Sequence, residues 1–438
     1  MMTGPVLSRH KAQVLASTPY GLLGRTLGHS WSPRIHTLLG SSPYGLFERE
    51  PSEVEAFVRE GNWRGINVTI PYKREAARLA DQRTARVERL GVANTLVRLE
   101  DGSILADNTD VLGFGWMLER FARRALDMGA AAAFGGHKAL VLGSGGASQA
   151  VQAALADIDA RVVVISRSGD ETYETLVERH ADARLLVNTT PVGMFPNCPA
   201  SPLPEEDLAA LTELAAVVDV VYNPERTGLM LAADRLGIPC ESGLGMLVAQ
   251  ALYASERFQG KPLDDSLVEL VEADIRRTTR NVVFIGMPGC GKTGAGRRLA
   301  RLTGRPFVDL DDCFMVDHGM TPADCILTYG EETFRTLETE TTASYCARSG
   351  LVIACGGGIV TRERNKDLLR QNGYVVMLDR PLDELSSADR PLSQARGVQA
   401  LAEERMPLYR AWADMVLPCT GSALGDAVEV ARLLGLNP

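Results

Sequence analysis

Aromatic residues are scarce in this chain of 438 residues, of which Phe, Trp and Tyr make up 6%. Proteins that hold single-stranded nucleic acids stack the bases on aromatic side chains, so this class is disfavoured. Basic residues are also in the minority, with 46 Lys and Arg against 55 Asp and Glu and a formal net charge of -9. Because phosphate backbones are bound by basic surfaces, no nucleic-acid partner is expected. A local basic pocket for a phosphorylated small molecule is compatible with this balance.

Long apolar runs and paired cysteines are absent as well. No run approaches the roughly 20 apolar residues of a membrane-spanning helix, so no membrane partner is expected. Residues 1–18 contain no apolar stretch typical of a signal peptide, and we expect them to form a flexible extension. The eight cysteines form no CxxC pair and have no zinc-finger spacing, which disfavours a metal cluster and a disulfide framework. A cytoplasmic location, where thiols stay reduced, fits best.

The length predicts two or three domains, and the segment pattern predicts their class. Strand-like and helix-like segments alternate from Tyr20 onward, which is typical of α/β proteins with parallel sheets. The stretch Leu96–Leu105 predicts a hairpin that turns at Asp101-Gly102. We interpret the Ala- and Gly-rich stretch Met128–His137 as a loop or a join between subdomains, and the basic stretch Arg276–Arg280 as a short connector.

A glycine-rich loop between a strand and a helix predicts a dinucleotide site. The loop residues are Gly143, Ser144, Gly145, Gly146 and Ala147. They follow the strand-like run Lys138–Leu142, and the glycines allow a tight turn that directs helix N–H groups at a pyrophosphate. In an NAD site the next strand usually ends in Asp or Glu, which binds the ribose hydroxyls. Here it ends in Ser166, Arg167 and Ser168, and a guanidinium without a carboxylate favours the 2′-phosphate of NADP.

Three polar clusters precede this loop, at predicted strand ends or loops, where α/β proteins build their sites. They are His29-Ser30-Trp31-Ser32-Pro33, Asn67-Val68-Thr69-Ile70-Pro71-Tyr72-Lys73 and Asn108-Thr109-Asp110. Each alone has an ordinary explanation, such as helix capping by Ser32 or Asp110. Further motifs follow: Gly91-Val92-Ala93-Asn94-Thr95, Asn188-Thr189-Thr190-Pro191-Val192-Gly193-Met194, Asp219-Val220-Val221-Tyr222-Asn223-Pro224 and Gly243–Gln250. Together these motifs resemble shikimate dehydrogenase over about Tyr20 to Phe258.

This resemblance implies an enzyme that uses NADP(H) to reduce 3-dehydroshikimate to shikimate. The implied substrate-binding residues are Ser30, Ser32, Thr69, Asn94, Asp110, Tyr222 and Gln250. Val220 and Gly243 are implied as further cofactor contacts, and Lys73 and Asp110 as the acid/base pair. The chemistry needs such a pair, because hydride reduction of a ketone requires a proton at the developing alkoxide. A lysine can stabilise and protonate that oxygen, while a neighbouring carboxylate fixes the position and charge of the lysine.

A second phosphate-binding motif begins the last third of the chain. The residues Gly286-Met287-Pro288-Gly289-Cys290-Gly291-Lys292-Thr293 follow the strand-like run Val282–Ile285 and have the spacing of a P-loop. Backbone N–H groups of a P-loop hold phosphates, its lysine reaches the β- and γ-phosphates, and its hydroxyl binds Mg2+. The predicted ATP contacts are Gly289, Cys290, Gly291, Lys292, Thr293 and Gly294. The motif predicts ATP and Mg2+ as ligands but does not identify the acceptor.

The remaining motifs of this region resemble shikimate kinase over about Asn281 to Pro418. They are Phe307–Asp311, Phe334–Glu338, Gly356–Gly358, Arg390–Leu392 and Glu404–Tyr409. The resemblance implies that Asp309, together with Thr293, holds Mg2+. The implied shikimate-binding residues are Asp311, Arg335, Gly357 and Arg405. The implied catalytic groups are Lys292, Asp311 and Arg390, of which Arg390 lies in the lid and also contacts ATP. The lid between Leu378 and Arg390 is short and supplies few basic residues.

The two resemblances predict a bifunctional enzyme of aromatic amino acid (chorismate) biosynthesis that reduces 3-dehydroshikimate and then phosphorylates shikimate to shikimate 3-phosphate. The expected fold is α/β: a substrate-binding domain, a Rossmann NADP-binding domain and a P-loop kinase domain with a parallel sheet. The expected bounds are 1–18 for the extension, 19–110 with 240–275 for the substrate domain, 111–239 for the Rossmann domain, 276–280 for a linker and 281–438 for the kinase domain. The expected partners are small-molecule substrates, and the oligomeric state is left open.

Two alternatives also stay open. The dehydrogenase substrate could be quinate or another cyclic polyol acid, and the kinase-like domain could be weakly active or ligand-sensing.

Overall fold

The computed structural model describes residues 19–28, 30–385 and 397–436. They form two compact units. The first contains the residues up to Thr190, Leu203–Val220 and Ala233–Ala273, and the second contains Pro191–Pro202, Val221–Ala232 and the residues from Asp274 onward. No helix among the described residues is both long enough and apolar enough to cross a membrane.

Short strands alternate with helices in both units. The strands of the first unit are β1 (Tyr20–Gly24), β2 (Tyr44–Glu48), β3 (Gly65–Val68), β4 (Gln82–Arg83), β5 (Thr95–Arg98), β6 (Ile104–Asp107), β7 (Lys138–Leu142), β8 (Arg161–Ile165), β9 (Leu185–Asn188), β10 (Ala216–Asp219) and β11 (Cys240–Ser242). The strands of the second unit are β12 (Asn281–Ile285), β13 (Phe307–Asp309), β14 (Val352–Ala354), β15 (Gly373–Asp379) and β16 (Met415–Pro418).

The helices connect these strands in chain order. Those that begin before the P-loop are α1 (Ser32–Leu38), α2 (Val54–Glu60), α3 (Lys73–Leu79), α4 (Ala85–Leu90), α5 (Thr109–Leu126), α6 (Ala130–Phe134), α7 (Gly146–Ala156), α8 (Leu176–His180), α9 (Glu205–Ala210), α10 (Gly228–Arg235), α11 (Leu244–Gln259) and α12 (Ser266–Thr279). Those that follow are α13 (Lys292–Thr303), α14 (Leu310–His318), α15 (Pro322–Tyr329), α16 (Glu331–Cys346), α17 (Glu363–Arg370), α18 (Val398–Trp412) and α19 (Ala423–Leu433).

The first sheet has the strand order β2-β1-β3-β5-β6-β4. Strand β1 pairs in parallel with β2 and β3, whereas β5 pairs antiparallel with β3 and β6. The hairpin predicted at Leu96–Leu105 is therefore confirmed, and it makes this sheet mixed rather than wholly parallel. Buried residues such as Leu23, Ile66 and Leu96 form its core.

The second sheet is wholly parallel, with the order β11-β10-β9-β7-β8. Strand β7 lies between β9 and β8, and its residues Ala139, Leu140, Val141 and Leu142 are buried. Parallel strands covered by helices on both faces read as continuous apolar runs. Ligands of such sheets bind outside the carboxyl ends of the strands, where the glycine-rich loop follows β7.

The third sheet is also parallel, with the order β13-β14-β12-β15-β16. Strand β12 is central, and its side chains alternate between two cores. Val283 and Ile285 belong to one core, and Val282 and Phe284 belong to the other. The carboxyl ends of these strands bring the P-loop, Asp309 and the segment after β14 to one edge of the sheet.

The interpretation of Met128–His137 as a loop is wrong for the middle of this stretch. It contains the helix α6, whose residues are mostly Ala, the residue with the highest helix propensity. The carboxylate of Glu119 accepts a hydrogen bond from the Ala130 N–H at 2.7 Å. That contact satisfies one of the N–H groups left free at a helix start.

The stretch Arg276–Arg280, interpreted as a connector, largely continues α12. The guanidinium of its last residue, Arg280, pairs with the carboxylate of Glu225. Arg276 forms a second ion pair with the same carboxylate, at 3.4 Å. The N–H of Glu225 donates to Asn372 Oδ1 at 2.9 Å. Within the second unit, these contacts join the segment Val221–Ala232 to the residues that follow Asp274. The bounds that the sequence predicts for the Rossmann domain, 111–239, include that segment.

Candidate active sites

Lys73 and Asp110 form an ion pair in the first unit, with 2.6 Å between Nζ and Oδ2. Lys73 is the first residue of α3, and Asp110 lies in the first turn of α5. Their side chains are 21% and 13% exposed, so the pair remains accessible to a ligand. The N-terminus of a helix favours a carboxylate, which suits Asp110 as the anionic partner. The pair can therefore hold or transfer a proton at Lys73 Nζ.

The side chain of Asn94 orients the carboxylate of Asp110. Asn94 Oδ1 accepts hydrogen bonds from the Thr109 N–H at 2.7 Å and from Thr95 Oγ1 at 3.0 Å. Its Nδ2 must therefore face the other way, where it donates to Asp110 Oδ1 at 2.8 Å and to Gln250 Oε1 at 3.3 Å. One oxygen of Asp110 is thus bound by Asn94 and the other by Lys73.

A buried polar network extends this arrangement away from Asp110. Asn67 Nδ2 donates to Thr95 Oγ1 at 3.3 Å, and Asn67 Oδ1 accepts from the Tyr44 hydroxyl at 2.9 Å. The Tyr44 ring stacks on the His36 ring, with 4.2 Å between centroids. Burial lowers the pKa of His36 to about 3, although a hydrogen bond with Asn67 opposes this shift. His36 is therefore neutral at neutral pH and adds no charge near the pair.

The other predicted substrate residues of this region lie at different distances from the pair. Ser30 Oγ accepts a hydrogen bond from the Ser32 N–H at 3.2 Å, and Ser32 also hydrogen-bonds Tyr44 of the buried network. Thr69 directly follows β3, and its N–H donates to the end of β1 at 2.9 Å. No hydrogen bond among the described residues joins Ser30 or Thr69 to the Lys73–Asp110 pair. Tyr222 belongs to the second unit.

The glycine-rich loop leads from β7 into α7 with exposed backbone. Gly143 adopts a φ of 100°, and a Cβ at this position would lie 2.9 Å from Thr190 Cγ2. Gly145 and Gly146 face open space, because a Cβ at either position would meet no atom within 4 Å. The first turn of α7 contains no acidic residue, and its N-cap makes no side-chain hydrogen bond. These first N–H groups, uncapped by a side chain, fit a diphosphate.

The residues after β8 provide the only predicted cation of the cofactor site. Ser166 is partly buried and its N–H donates to the Glu171 carbonyl at 3.0 Å, whereas Arg167 and Ser168 are exposed. The Arg167 side chain forms no ion pair with the described residues. An exposed, unpaired guanidinium fits a phosphate on the ribose.

The segments after β9, β10 and β11 complete this sheet edge. Asn188 Nδ2 donates to both carboxylate oxygens of Asp219, at 3.0 and 3.1 Å, and Asn188 Oδ1 accepts from Thr190 Oγ1 at 2.7 Å. These buried contacts fix the loop that lies against Gly143. A Cβ at Gly243 would overlap the Val220 carbonyl, so only glycine fits there. The predicted cofactor contacts Val220 and Gly243 therefore touch each other.

In the second unit, the P-loop connects β12 to α13. Gly286, Gly289 and Gly291 have φ values of 139°, 87° and 105°, which only glycine adopts readily. Lys292 is buried, and its Nζ donates to the carbonyls of Gly286 at 2.9 Å and Met287 at 3.0 Å. The loop thus holds its own lysine in the position from which that lysine can reach a phosphate.

Thr293 and Asp309, the predicted Mg2+ ligands, contact each other. The Thr293 hydroxyl donates to Asp309 Oδ2 at 2.8 Å, and Asp309 Oδ1 accepts from the Asp311 N–H at 3.1 Å. Mg2+ prefers oxygen ligands and is usually bound by one or two carboxylates, with waters and substrate phosphates completing the shell. A hydroxyl and a carboxylate at this separation beside the P-loop fit that pattern.

Two buried arginines face the segment after β14. Arg335 and Arg405 are 4% and 2% exposed. Arg335 Nη1 donates to Glu338 Oε2 at 2.6 Å, and Arg405 Nη1 donates to the Gly357 carbonyl at 3.3 Å. Arg335 Nε and Arg405 Nη2 are buried but have no hydrogen-bond partner among the described residues. Since buried donors are normally satisfied, these two nitrogens point to a bound anion.

Two carboxylates also lie beside this segment. A Cβ at Gly356 would lie 2.9 Å from Asp311 Oδ1 and 3.1 Å from Glu338 Oε1. Burial raises the pKa of Glu338, although the charge of Arg335 opposes this. The Tyr409 hydroxyl donates to the Gly357 carbonyl. The predicted residues Asp311, Arg335 and Arg405 thus lie around one segment that contains the predicted Gly357. The predicted lid residue Arg390 lies outside the described residues.

Comparison with known proteins identifies these two regions. Residues 22–96 match the family model for the shikimate dehydrogenase substrate binding domain. Over 271 residues the chain is 32% identical to shikimate dehydrogenase (NADP(+)) of Clostridium beijerinckii, an alignment that covers 57% of this chain and 95% of that relative. The chain belongs to the shikimate dehydrogenase family. Residues 288–432 match the family model for shikimate kinase, so a shikimate kinase domain follows the dehydrogenase region.

Solved structures agree with the family assignment. A chorismate mutase/shikimate 5-dehydrogenase fusion protein from Clostridium acetobutylicum is 32% identical, with a TM-score of 0.52 over 58% of this chain and 96% of that one. Shikimate 5-dehydrogenase from Thermus thermophilus, solved in complex with NADP(H) and shikimate, is 30% identical, with a TM-score of 0.50 over 58% of this chain and 98% of that one. The α/β fold with a Rossmann-type dehydrogenase and a P-loop kinase domain is confirmed.

Sequence reasoning assigned no role to several residues of these sites. In the shikimate dehydrogenase region they are Tyr44, Asn67 and Thr95, and in the kinase domain they are Glu338 and Tyr409. Asn67 carried a signal, since it is a polar residue in a strand that is otherwise apolar, and Thr95 begins β5 just before two apolar residues. Glu338 lies three residues after Arg335 on a helix, a spacing at which side chains meet.

Proposed function

We propose that the dehydrogenase region reduces the ketone of 3-dehydroshikimate to the hydroxyl of shikimate, with Lys73 and Asp110 as the proton-transfer pair. The observation that carries this proposal is the accessible contact of 2.6 Å between Lys73 Nζ and Asp110 Oδ2. When bound, NADPH supplies the hydride that adds to the carbonyl carbon. The Lys73 ammonium stabilises the negative charge that develops on the oxygen and gives it a proton. Asp110, held by Asn94, keeps the ammonium in place.

NADPH would bind at the carboxyl edge of the second sheet. The uncapped N-terminus of α7 and the open glycines Gly145 and Gly146 support a diphosphate at this point. Arg167 would contact the 2′-phosphate, because it is exposed, positively charged and unpaired among the described residues. The adjacent Ser166 and Ser168 would add hydroxyl contacts.

We propose that the kinase domain transfers the γ-phosphoryl group of ATP to the 3-hydroxyl of shikimate. The buried unsatisfied nitrogens of Arg335 and Arg405 support a carboxylate ligand, since guanidinium groups bind planar carboxylates through paired hydrogen bonds. The oxygen of the 3-hydroxyl would form a bond to the γ-phosphorus as the bond from that phosphorus to ADP breaks. Asp311 would accept the proton that the hydroxyl loses. When bound by Thr293 and Asp309, Mg2+ would neutralise phosphate charge.

The two reactions form a sequence, because the product of the first is the acceptor of the second. The ketone oxygen that Lys73 would protonate becomes the oxygen of a hydroxyl. The ring that carries this hydroxyl keeps its carboxylate. That carboxylate is the group that Arg335 and Arg405 would bind. A single chain can therefore carry out both steps on one carbon skeleton.

A spectrophotometric assay tests the dehydrogenase proposal. With 3-dehydroshikimate and NADPH, the unchanged protein should oxidise NADPH, and Lys73→Ala should abolish this activity. Lys261→Ala removes an exposed lysine of the same region and should leave it intact. In the reverse direction with NADP+, shikimate should be oxidised far faster than quinate. Equal loss of NADPH oxidation in Lys73→Ala and Lys261→Ala would contradict the proposal. Faster oxidation of quinate than of shikimate would identify quinate as the preferred substrate.

A kinase assay tests the second half. Arg405→Lys should raise the KM for shikimate much more than the KM for ATP, because an ammonium cannot reproduce the paired contact. Arg410→Lys changes an exposed arginine of the same helix and serves as the control. If the unchanged domain binds shikimate but forms no shikimate 3-phosphate from Mg-ATP, the domain is a ligand sensor and the proposed activity is wrong.

A further inference from the structure

A charged cluster beside the P-loop has no role in the chemistry described above. Arg380 follows β15 directly, and its Nε donates to the Cys290 carbonyl at 3.2 Å. Its Nη2 lies 3.7 Å from the position that a Cβ would take on Gly291. The side chain is 18% exposed, so part of the guanidinium remains accessible. A positive charge thus lies against the backbone that would hold the phosphates.

The sheet order assigns Arg380 to one side of the P-loop. The acceptor residues Asp311 and Gly357 follow β13 and β14, which lie on one side of β12. Arg380 and Thr420 follow β15 and β16, which lie on the other side. Because Arg380 contacts the P-loop backbone from this second side, it lies on the side of the P-loop away from the acceptor residues. Arg380 is therefore placed to act on ATP rather than on shikimate.

Asp426 holds Arg380 at this point. Asp426 is fully buried, and its Oδ1 accepts hydrogen bonds from the Thr420 N–H at 2.6 Å and the Thr420 hydroxyl at 2.8 Å. Its Oδ2 has no hydrogen-bond partner among the described residues and lies 3.9 Å from Arg380 Nη2. A buried carboxylate is costly without a nearby cation, so this contact keeps the guanidinium close to the P-loop. The exposed Glu384 pairs with Arg380 at the same distance, 3.9 Å, from the solvent side.

The sequence around Arg380 makes its charge important. Between Leu378 and Arg390, Arg380 is the only basic residue, and it is accompanied by four acidic ones, Asp379, Asp383, Glu384 and Asp389. Phosphoryl transfer requires positive charge beside the phosphates, and in this stretch Arg380 is the basic residue that precedes Arg390.

We propose that Arg380 is a nucleotide-binding residue that contacts the phosphates of ATP at the P-loop, and that Asp426 is its positioning residue. This inference rests on the kinase function proposed above. Arg380 supplies a charge-assisted contact to the phosphates at the P-loop itself, in addition to any cation that the lid supplies. It acts on nucleotide binding and leaves the shikimate site unchanged.

Inhibition measurements with the full chain test this role. In Arg380→Gln, the inhibition constant of ADP against ATP should rise by about tenfold, the size of one charge-assisted hydrogen bond. The inhibition constant of adenosine and the KM for shikimate should stay within about twofold of the unchanged protein, by the same reasoning. Arg380→Lys should recover part of the ADP affinity. Arg432→Gln, an exposed arginine on the helix that carries Asp426, is the control.

Each other outcome has a defined meaning. Unchanged ADP affinity in Arg380→Gln overturns the proposal, and so does an equal loss for adenosine, which would indicate contact with the base. A parallel rise in the ADP constant and the shikimate KM would indicate a purely structural contact and would also overturn it. Asp426→Asn keeps an acceptor for Thr420 and should weaken ADP binding in the same direction, even if Arg380→Gln does not fold. If the unchanged protein neither binds ADP nor phosphorylates shikimate, the proposed kinase function fails instead.

Discussion

Replacing Gly358 by alanine should damage shikimate binding through Arg335 alone. A Cβ at Gly358 would overlap the Arg335 guanidinium, which Glu338 and Glu331 hold in place. Gly358 has a φ of −96°, a conformation open to any residue, so the substitution introduces no backbone strain. The added methyl group must therefore push the guanidinium out of its position beside the acceptor segment.

The size of the effect follows from the contact that is lost. A hydrogen bond to a charged group contributes roughly 1.5–3 kcal/mol. At about 1.4 kcal/mol per factor of ten, loss of the Arg335–carboxylate contact should lower kcat/KM for shikimate by about 10- to 150-fold. The KM for ATP and the NADPH-dependent reduction of 3-dehydroshikimate should stay within about twofold, because Gly358 contacts neither site.

Steady-state kinetics of both activities test this prediction, with a double-mutant cycle as the internal control. In an Arg335→Lys background, Gly358→Ala should have much less effect, because the group that it displaces is already gone. Gly115→Ala, which adds a methyl group where no atom lies within 4 Å, should change neither activity. An unchanged shikimate KM in Gly358→Ala, or full additivity with Arg335→Lys, would refute this role of Arg335.

Three further predictions concern other residues. Asp110→Asn should lower the dehydrogenase kcat by about 10²–10⁴-fold, measured by NADPH oxidation, because Lys73 loses its anionic partner. Asp309→Asn should raise the Mg2+ concentration needed for half-maximal kinase rate by about tenfold, measured by Mg2+ titration, because one charged ligand is lost. His36 has a folded-state pKa of about 3, below the ordinary 6.5, so the unfolded state alone binds its proton between these values. Its contribution to stability is complete above pH 6.5 and should fall by about 1.4 kcal/mol per pH unit below it, measured by denaturant unfolding.

Each of these predictions has a matched test. Asp110→Asn should leave kinase activity intact, and a kcat equal to that of the unchanged protein would contradict the proton-transfer role. Asp309→Asn should not alter NADPH oxidation, and an unchanged Mg2+ requirement would remove Asp309 from the metal site. His36→Gln should show a shallower loss of stability from pH 6.5 to pH 5 than the unchanged protein, and identical slopes would contradict the burial of a neutral His36.

Local motifs in the sequence predicted the phosphate-binding loops well. The P-loop depends on glycines at positive φ and on N–H groups that belong to neighbouring residues, so its spacing carries its structure. The glycine-rich loop after β7 follows the same logic. In both cases the flanking strand and helix were also evident from the apolar pattern.

Contacts between distant residues were predictable only through the family resemblance. Lys73 and Asp110 are 37 residues apart, and they meet because β3 and β6 lie in one sheet. The orientation of Asn94 depends on the N–H of Thr109, which no spacing rule indicates. The sequence likewise gives no sign that Arg280 pairs with Glu225, because the two residues are far apart along the chain.

Buried charges were the least predictable part of the kinase site. Arg335 and Glu338 lie on a helix whose pattern gives no sign that this face is buried. In the sequence, Arg380 is simply a basic residue after a strand, and such residues are commonly solvated. The fold places it beside Cys290 and Asp426. Whether a charged side chain is buried and paired depends on what packs over it, which only the tertiary structure specifies.

A single reaction mixture tests the two-site account most directly. It contains 3-dehydroshikimate, NADPH and Mg-ATP, and shikimate and shikimate 3-phosphate are quantified over time. The unchanged protein should form shikimate 3-phosphate, Lys292→Ala should stop at shikimate, and Lys73→Ala should form neither product but should still phosphorylate added shikimate. If either substitution abolishes both activities in a protein that remains folded, the division into two independent sites is contradicted.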